Sequence, residues 1–185
     1  PQRRHPIREG RINATALLAD ACRRGMIRPN LLVSGSAIGY YGAHRGDEVL
    51  TESSSNGTDY LAQVSVEWEA AAQPARDAGV RVVTPRTGIV LSPDGGALQR
   101  MLLPFRLGGG GRLGAGTHWM SWISMEDMVR ALRFCIDTTG VTGPVNCVAP
   151  NPVQNTEFAA TLGRVMHRPA LVPVPALALR ALFGT

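Results

Sequence analysis

The chain has 185 residues, 44% of them hydrophobic, and a formal net charge of +5, enough apolar material for a real core. All nineteen basic residues are arginine, so a Schiff base, a P-loop lysine and a lysine-assisted tyrosine are all excluded. The arginines are scattered, with Arg3-Arg4 and Arg23-Arg24 the only adjacent pairs; this pattern argues against a nucleic-acid partner and leaves room for attraction to a phosphorylated small molecule.

Pro1 to Glu9 reads as polar and irregular. From Gly10, Ile12, Ala16, Leu17, Ala19 and Ala21 recur with helical spacing up to Arg24-Gly25. Leu31 to Val33 is an apolar strand that breaks into Ser34-Gly35-Ser36 and then two tyrosines. Residues 42–58 form a polar loop with an acidic centre. Residues 59–78 form a helix with Asp59 as its N-cap. Val80 to Thr84 and Ile89 to Leu91 are strands, and Ser92 to Gly96 is a turn. Residues 97–106 are helical, and the six glycines of 108–116 make a flexible loop. A helix opens at Met125-Glu126-Asp127, with Asp127 as a sufficient cap, and runs to about Thr138. Gly143 to Val148 is a short strand, and a helix follows from Thr156 to His167 with Asn155 as its cap. The tail from Leu171 is apolar, then helical.

Strands alternating with helices indicate βαβ units and a parallel sheet. In such sheets, ligands bind outside the carboxyl ends of the strands. Ser34 and Ser36 fall at such an end: they either present hydroxyls to a ligand or satisfy backbone groups in a Ser/Thr turn. Cys22, Cys135 and Cys147 fit neither a disulfide framework nor a metal knuckle and read as buried residues of a reducing cytosol. His5, His44, His118 and His167 form no ligand set, so no metal site is expected. No apolar run approaches the ~18 residues of a membrane span, and no signal peptide is visible.

Five spaced motifs occur in order: Ser34-Gly35-Ser36-Ala37 with Gly39-Tyr40-Tyr41-Gly42, Trp68-Glu69, Pro85 to Leu91, Gly114 and Gly116 with Ser121-Trp122-Ile123 and Asp127, and Gly143-Pro144-Val145-Asn146. Together they resemble the atypical, sugar-nucleotide epimerase-like branch of the extended short-chain dehydrogenase/reductases. Members of this branch are labelled NAD-dependent epimerase/dehydratase or, loosely, cell division inhibitor. The resemblance implies an α/β, Rossmann-like doubly wound parallel sheet, here partial, with its N-terminal βα units and their Gly-rich dinucleotide fingerprint missing. It implies a division into residues 1–100, the C-terminal half of the dinucleotide-binding domain, and 101–185, a smaller substrate-binding lobe interleaved with the sheet.

The resemblance also assigns roles. Ser36 matches the family's catalytic serine, and Ser34 and Gly35 flank the cofactor. Pro85, Arg86, Thr87 and Ile89 match the cofactor-binding stretch beneath the nicotinamide, with Arg86 either a phosphate contact or an ion-pair partner that braces the sheet end. The family's Tyr-x-x-x-Lys pair does not match: its positions fall at Leu61 or Tyr60 and at Ser65 or Val64. Tyr40 and Tyr41 are either substitute acids or plain packing residues, and Tyr40 is the catalytic candidate. The Arg-Asp pair that precedes Asp127 in nucleotide-sugar enzymes is replaced by Met120 and Ser121. Arg112 is then the candidate for an anionic ligand, and Trp119 for lining a pocket. Glu67 and Glu69 read as surface or dimer-interface residues.

The function so implied is that of an NAD(P)-dependent epimerase/dehydratase-like oxidoreductase acting on a small carbonyl or hydroxyl compound, with the positive charge favouring NADP over NAD. The alternative is a catalytically degenerate NAD(P)(H)-binding sensor or scaffold. A cytoplasmic homodimer through helices 10–24 and 59–78 completes the expectation, with no nucleic acid or membrane as partner.

Overall fold

The computed structural model describes residues 4–173, with side groups from residue 8 onward. Helix α1 (Arg4–Arg23) begins ahead of the predicted Gly10. Pro6 sits in its first turn, where the backbone N–H has no intrahelical partner, so it does not interrupt the helix. Strands β1 (Leu31–Val33) and β2 (Ser36–Ala37) are separated only by Ser34-Gly35, and a single 3-10 turn, Ile38–Tyr41, follows. The helix expected over 59–78 is two helices, α2 (Tyr60–Ala70) and α3 (Gln73–Asp77). Pro74 causes the break, because its ring is tolerated only at the start of a new helix.

Strand β3 (Arg81–Thr87) outruns its predicted end. Then come β4 (Ile89–Ser92), α4 (Gly96–Arg106), β5 (Trp119–Met120), β6 (Trp122–Ser124) and α5 (Met125–Asp137). Strand β7 (Gly143–Cys147), β8 (Val153–Gln154) and α6 (Asn155–Val165) follow. Helix α6 ends short of the predicted His167. The helical tail expected beyond residue 173 lies outside the described residues.

The main sheet is parallel. Strand β3 is central, paired with β1 and β2 on one side and with β7 on the other. The ladder to β1 stops at Val83 and resumes on β2 at Arg86. Pro85, which has no N–H to donate, falls in that interruption, and so a proline survives inside a central strand. This is the α/β, Rossmann-like arrangement expected from the motifs.

Two compact units emerge. The first comprises the described residues through Gly88 together with Met128–Cys147, and the second Ile89–Asp127 together with the described residues from Val148 onward. In the first, Ala19, Cys22, Ala72, Ala75 and Val82 form a buried cluster with Leu32 and Val80 against it. The small alanines let α1 and α3 approach closely over the sheet. In the second, β4 pairs with β6 in parallel and β5 with β8 antiparallel.

Candidate functional site

Three residues lie in register across the main sheet near the carboxyl ends of its strands: Ser36, Arg86 and Asn146. Ser36 is 4% exposed, and its hydroxyl donates to Glu69 Oε1 at 2.6 Å. Glu69 comes from α2, where Leu61, Ser65 and Glu69 repeat at every fourth residue on one face. Its carboxylate takes two further bonds, from Arg86 Nε at 2.8 Å and Arg86 Nη2 at 2.9 Å. The expectation of a surface or interface role for Glu69 is thereby corrected: a carboxylate facing a buried guanidinium turns inward rather than leave that charge unpaired.

Arg86 is buried. Its Nη1 donates to the Tyr41 hydroxyl at 3.0 Å and to the Glu52 carbonyl at 3.2 Å. Burial pulls its pKa down, but the bonds with Glu69 and Tyr41 outweigh that and leave it raised. Tyr41 donates its own proton to Asn146 Oδ1 at 2.6 Å. The Tyr40 ring lies against the same cation, the guanidinium carbon 3.4 Å from its centroid, and meets Tyr41 edge-on at 5.4 Å. The two tyrosines thus separate in role: the Tyr41 hydroxyl is fully engaged, while the half-buried Tyr40 contributes a ring face.

The acidic loop closes over this row. Glu52 Oε1 accepts the Asn146 backbone N–H at 2.8 Å, and Arg45 ties the loop together through Glu48 and the Ser55 carbonyl. Of the other predicted residues in this unit, Pro85 is buried and Thr87 half-buried beside Arg86. Cys147, at the end of β7, has its thiol pushed up to about 11, chiefly by burial, which makes it an inert apolar residue.

Ser34 faces a different environment. Its hydroxyl lies 3.3 Å from Thr15 Oγ1, which also accepts the indole N–H of Trp68 at 3.0 Å. These groups border a cleft of ≈ 280 Å³ between α1 and β1, lined also by Arg11, Leu18 and Leu32. Arg11 rests over the Trp68 ring at 5.0 Å. Gly35 is required by the indole: a Cβ there would sit 2.9 Å from Trp68 Cζ2. Strand β1 pairs only with β3 among the described strands.

The second unit holds Ile89, Arg112 and Trp119. Ile89 pairs with Trp122, Arg112 Nη1 donates to the Ala115 carbonyl at 2.8 Å, and Trp119 is 44% exposed. The glycine loop is pinned by Asn155, which is fully buried. Asn155 Oδ1 accepts the Leu113 N–H at 2.7 Å, and its Nδ2 reaches Met120 Sδ at 3.2 Å. Asn155 is therefore not the cap predicted for α6. Asp127 is not the cap of α5 either: Ser124 Oγ accepts its N–H at 3.0 Å and donates back to its carboxylate at 2.8 Å.

Residues 4–147 match the NAD dependent epimerase/dehydratase family. The chain belongs to this family. It is 47% identical over 178 residues to the epimerase family protein Mb2239 of Mycobacterium bovis, an alignment covering 96% of this chain and 58% of that protein. It is 41% identical to the chloroplastic SDR39U1 homolog of Arabidopsis thaliana, with coverage of 100% and 53%. Among solved structures it is similar to human epimerase family protein SDR39U1 with NADPH, at a TM-score of 0.93 and 34% identity, covering 100% of this chain and 62% of that one. It is also similar to the nucleoside-diphosphate sugar epimerase of Corynebacterium glutamicum, at a TM-score of 0.78 and 39% identity, with coverage of 100% and 40%. The chain spans less than two thirds of the length of each of these relatives.

The family's dinucleotide needs an anion seat for its pyrophosphate, normally a helix N-terminus. In this epimerase-family chain, α2 is closed by the Asp59 carboxylate. Helix α5 is closed by Ser124 and an acidic first turn, and α6 by the carbonyls of Gly116 and His118. None of these three fits a phosphate.

Proposed function

We propose that these residues make up the reaction-side half of an NAD(P)-dependent, epimerase/dehydratase-like oxidoreductase of the atypical short-chain type, acting on a small carbonyl or hydroxyl compound. One observation carries this reading: Ser36, Arg86 and Asn146 form a hydrogen-bonded row across the carboxyl ends of three parallel strands. In open α/β sheets that edge is where ligands bind. When bound, the dinucleotide would supply hydride chemistry, with Ser34 and Gly35 beside it. The unpaired edge of β1 is the place for a further strand, whose own βα turn would hold the pyrophosphate. NADP is favoured over NAD by the net charge and by the NADPH named with the human relative.

Within the row, Glu69 and Arg86 fix the rotamer of Ser36. Tyr40 has no hydrogen bond to its hydroxyl among the described residues and is the proton donor of this proposal. Isothermal titration of NADPH and NADH into a protein that carries this chain together with such a strand and βα turn tests the reading. Micromolar binding of either supports it, and no binding below millimolar overturns it. In isolation, residues 1–185 should bind both poorly.

A second reading, a cofactor-binding sensor or scaffold without turnover, has its own support. No lysine is present to activate a tyrosine, and the one proton of Ser36 is committed to Glu69. Ser36→Ala separates the two: an enzyme loses turnover, and a sensor keeps its cofactor affinity. A homodimer through α1 and α2 belongs to the same proposal, supported by Leu17, Leu18 and Leu61, which are 72%, 48% and 59% exposed; gel filtration showing monomer alone would remove it. A cytoplasmic location is proposed on the three free cysteines.

A further inference from the structure

Residues 56 and 57 of the acidic loop are an Asn-Gly pair. Such a pair undergoes a self-reaction in flexible polypeptides. The glycine backbone nitrogen attacks the amide carbon of the asparagine, the bond from that carbon to the amide NH2 breaks, and ammonia leaves. Water then opens the resulting ring to aspartate or isoaspartate. The attack needs a free glycine nitrogen and room to swing it onto the asparagine amide.

The fold withholds both. The Gly57 N–H donates to the Tyr40 carbonyl at 2.9 Å. Its α-carbon is pressed on Gly42 so closely that a Cβ there would lie 2.5 Å from Gly42 Cα and 2.7 Å from the Tyr41 carbonyl oxygen. Gly42 is held at φ 80°, and Asp59 Oδ2 accepts the neighbouring Ala43 N–H at 2.8 Å. On the other side, Asn56 Nδ2 donates to the Gly57 carbonyl at 2.8 Å, and Arg45 holds the Ser55 carbonyl at 2.9 Å. Asn56 itself is exposed to the water the reaction consumes.

We infer that Asn56 is a latent deamidation site, guarded by the closed loop over 42–58 and released when that loop opens. The conversion is one-way. Isoaspartate inserts a methylene into the backbone beside Gly57, where the approach to Gly42 leaves no space. Either product also adds a carboxylate to a loop that already holds Asp47, Glu48 and Glu52. A molecule converted to isoaspartate cannot reclose as before.

Peptide mapping with isoaspartate quantification at residue 56 tests this in mildly alkaline buffer, comparing the native protein with the same protein in urea. The native protein should react at least about tenfold more slowly, since reaction is gated by a local opening equilibrium. Arg45→Ala removes the bonds to Glu48 and to the Ser55 and Tyr41 carbonyls and should give an intermediate rate in a protein shown by circular dichroism to be folded. Gly42→Ala, strained at positive φ and crowded against Gly57, should react faster still. A native rate equal to the denatured rate overturns the inference, as do unchanged rates in both folded variants.

Discussion

Glu69 and Arg86 meet two oxygens to two nitrogens, at 2.8 and 2.9 Å, with the arginine side group 3% and the glutamate 13% exposed. Removing one partner leaves the other charged and buried. Glu69→Ala or Arg86→Ala should each destabilise the fold by about 3–5 kcal/mol, read as a shift in urea midpoint at constant slope. The raised arginine pKa means that this contribution is complete below the ordinary arginine value and is lost only as pH rises through the higher folded one. The penalty should therefore be flat across neutral pH. Arg86→Lys should not rescue, because an ammonium cannot bridge both oxygens.

Asp59 gives the opposite pH signature. Its carboxylate accepts the Ala62 N–H at 3.0 Å at the start of α2, and that bond, opposed by some burial and aided by the Ala43 N–H, lowers its pKa from 3.8. Its contribution is thus complete above 3.8 and is lost as pH falls through the lower folded value. Asp59→Ala should cost about 0.5–2 kcal/mol at neutral pH. The gap to the unmodified protein should close in acid, as followed by urea titrations at stepped pH.

Gly35 and Trp68 should show strong coupling. Gly35→Ala drives a methyl group into the indole, and overpacking of this kind costs about 1–3 kcal/mol. Trp68→Leu alone loses indole packing and its bond to Thr15. Combined with Gly35→Ala it should recover part of the loss, so that the two penalties do not add. A double-mutant cycle on thermal unfolding measures this, and strict additivity would show that the close approach is not the constraint on residue 35.

The order of strands and helices was legible in the sequence, because an apolar run such as Leu31 to Val33 and the helical spacing after Gly10 are local signals. Asp59 was legible as a cap for the same reason. Glu69 was not. It lies beside Glu67 and Trp68 in α2, and only the register that brings β2 beside β3 puts Ser36 and Arg86 in front of it. Asn155 misled in a related way: its place before a helix reads as a cap, but a tertiary contact with Leu113 takes its amide. The long β3 was hidden by Pro85, which terminates a strand unless the partner ladder happens to be interrupted there. Local chemistry was therefore readable, while the hydrogen-bonded row that defines the site depends on pairings between residues distant in sequence.

Thr84 is a position where substitution should stabilise the fold. It is fully buried in the centre of β3, and its hydroxyl oxygen has no hydrogen-bond partner among the described residues. An unmet buried hydroxyl costs about 1–3 kcal/mol, whereas a methyl in its place keeps the shape and the β-branched fit to the strand. Thr84→Val should therefore raise stability by about 1 kcal/mol, seen as a higher urea midpoint with the slope unchanged. Its neighbours Val83 and Val82 are equally buried, so Val83→Thr is the matched control and should destabilise. If Thr84→Val instead lowered the midpoint, the hydroxyl would have to be hydrogen-bonded in solution, for example to a buried water that the fold retains for it.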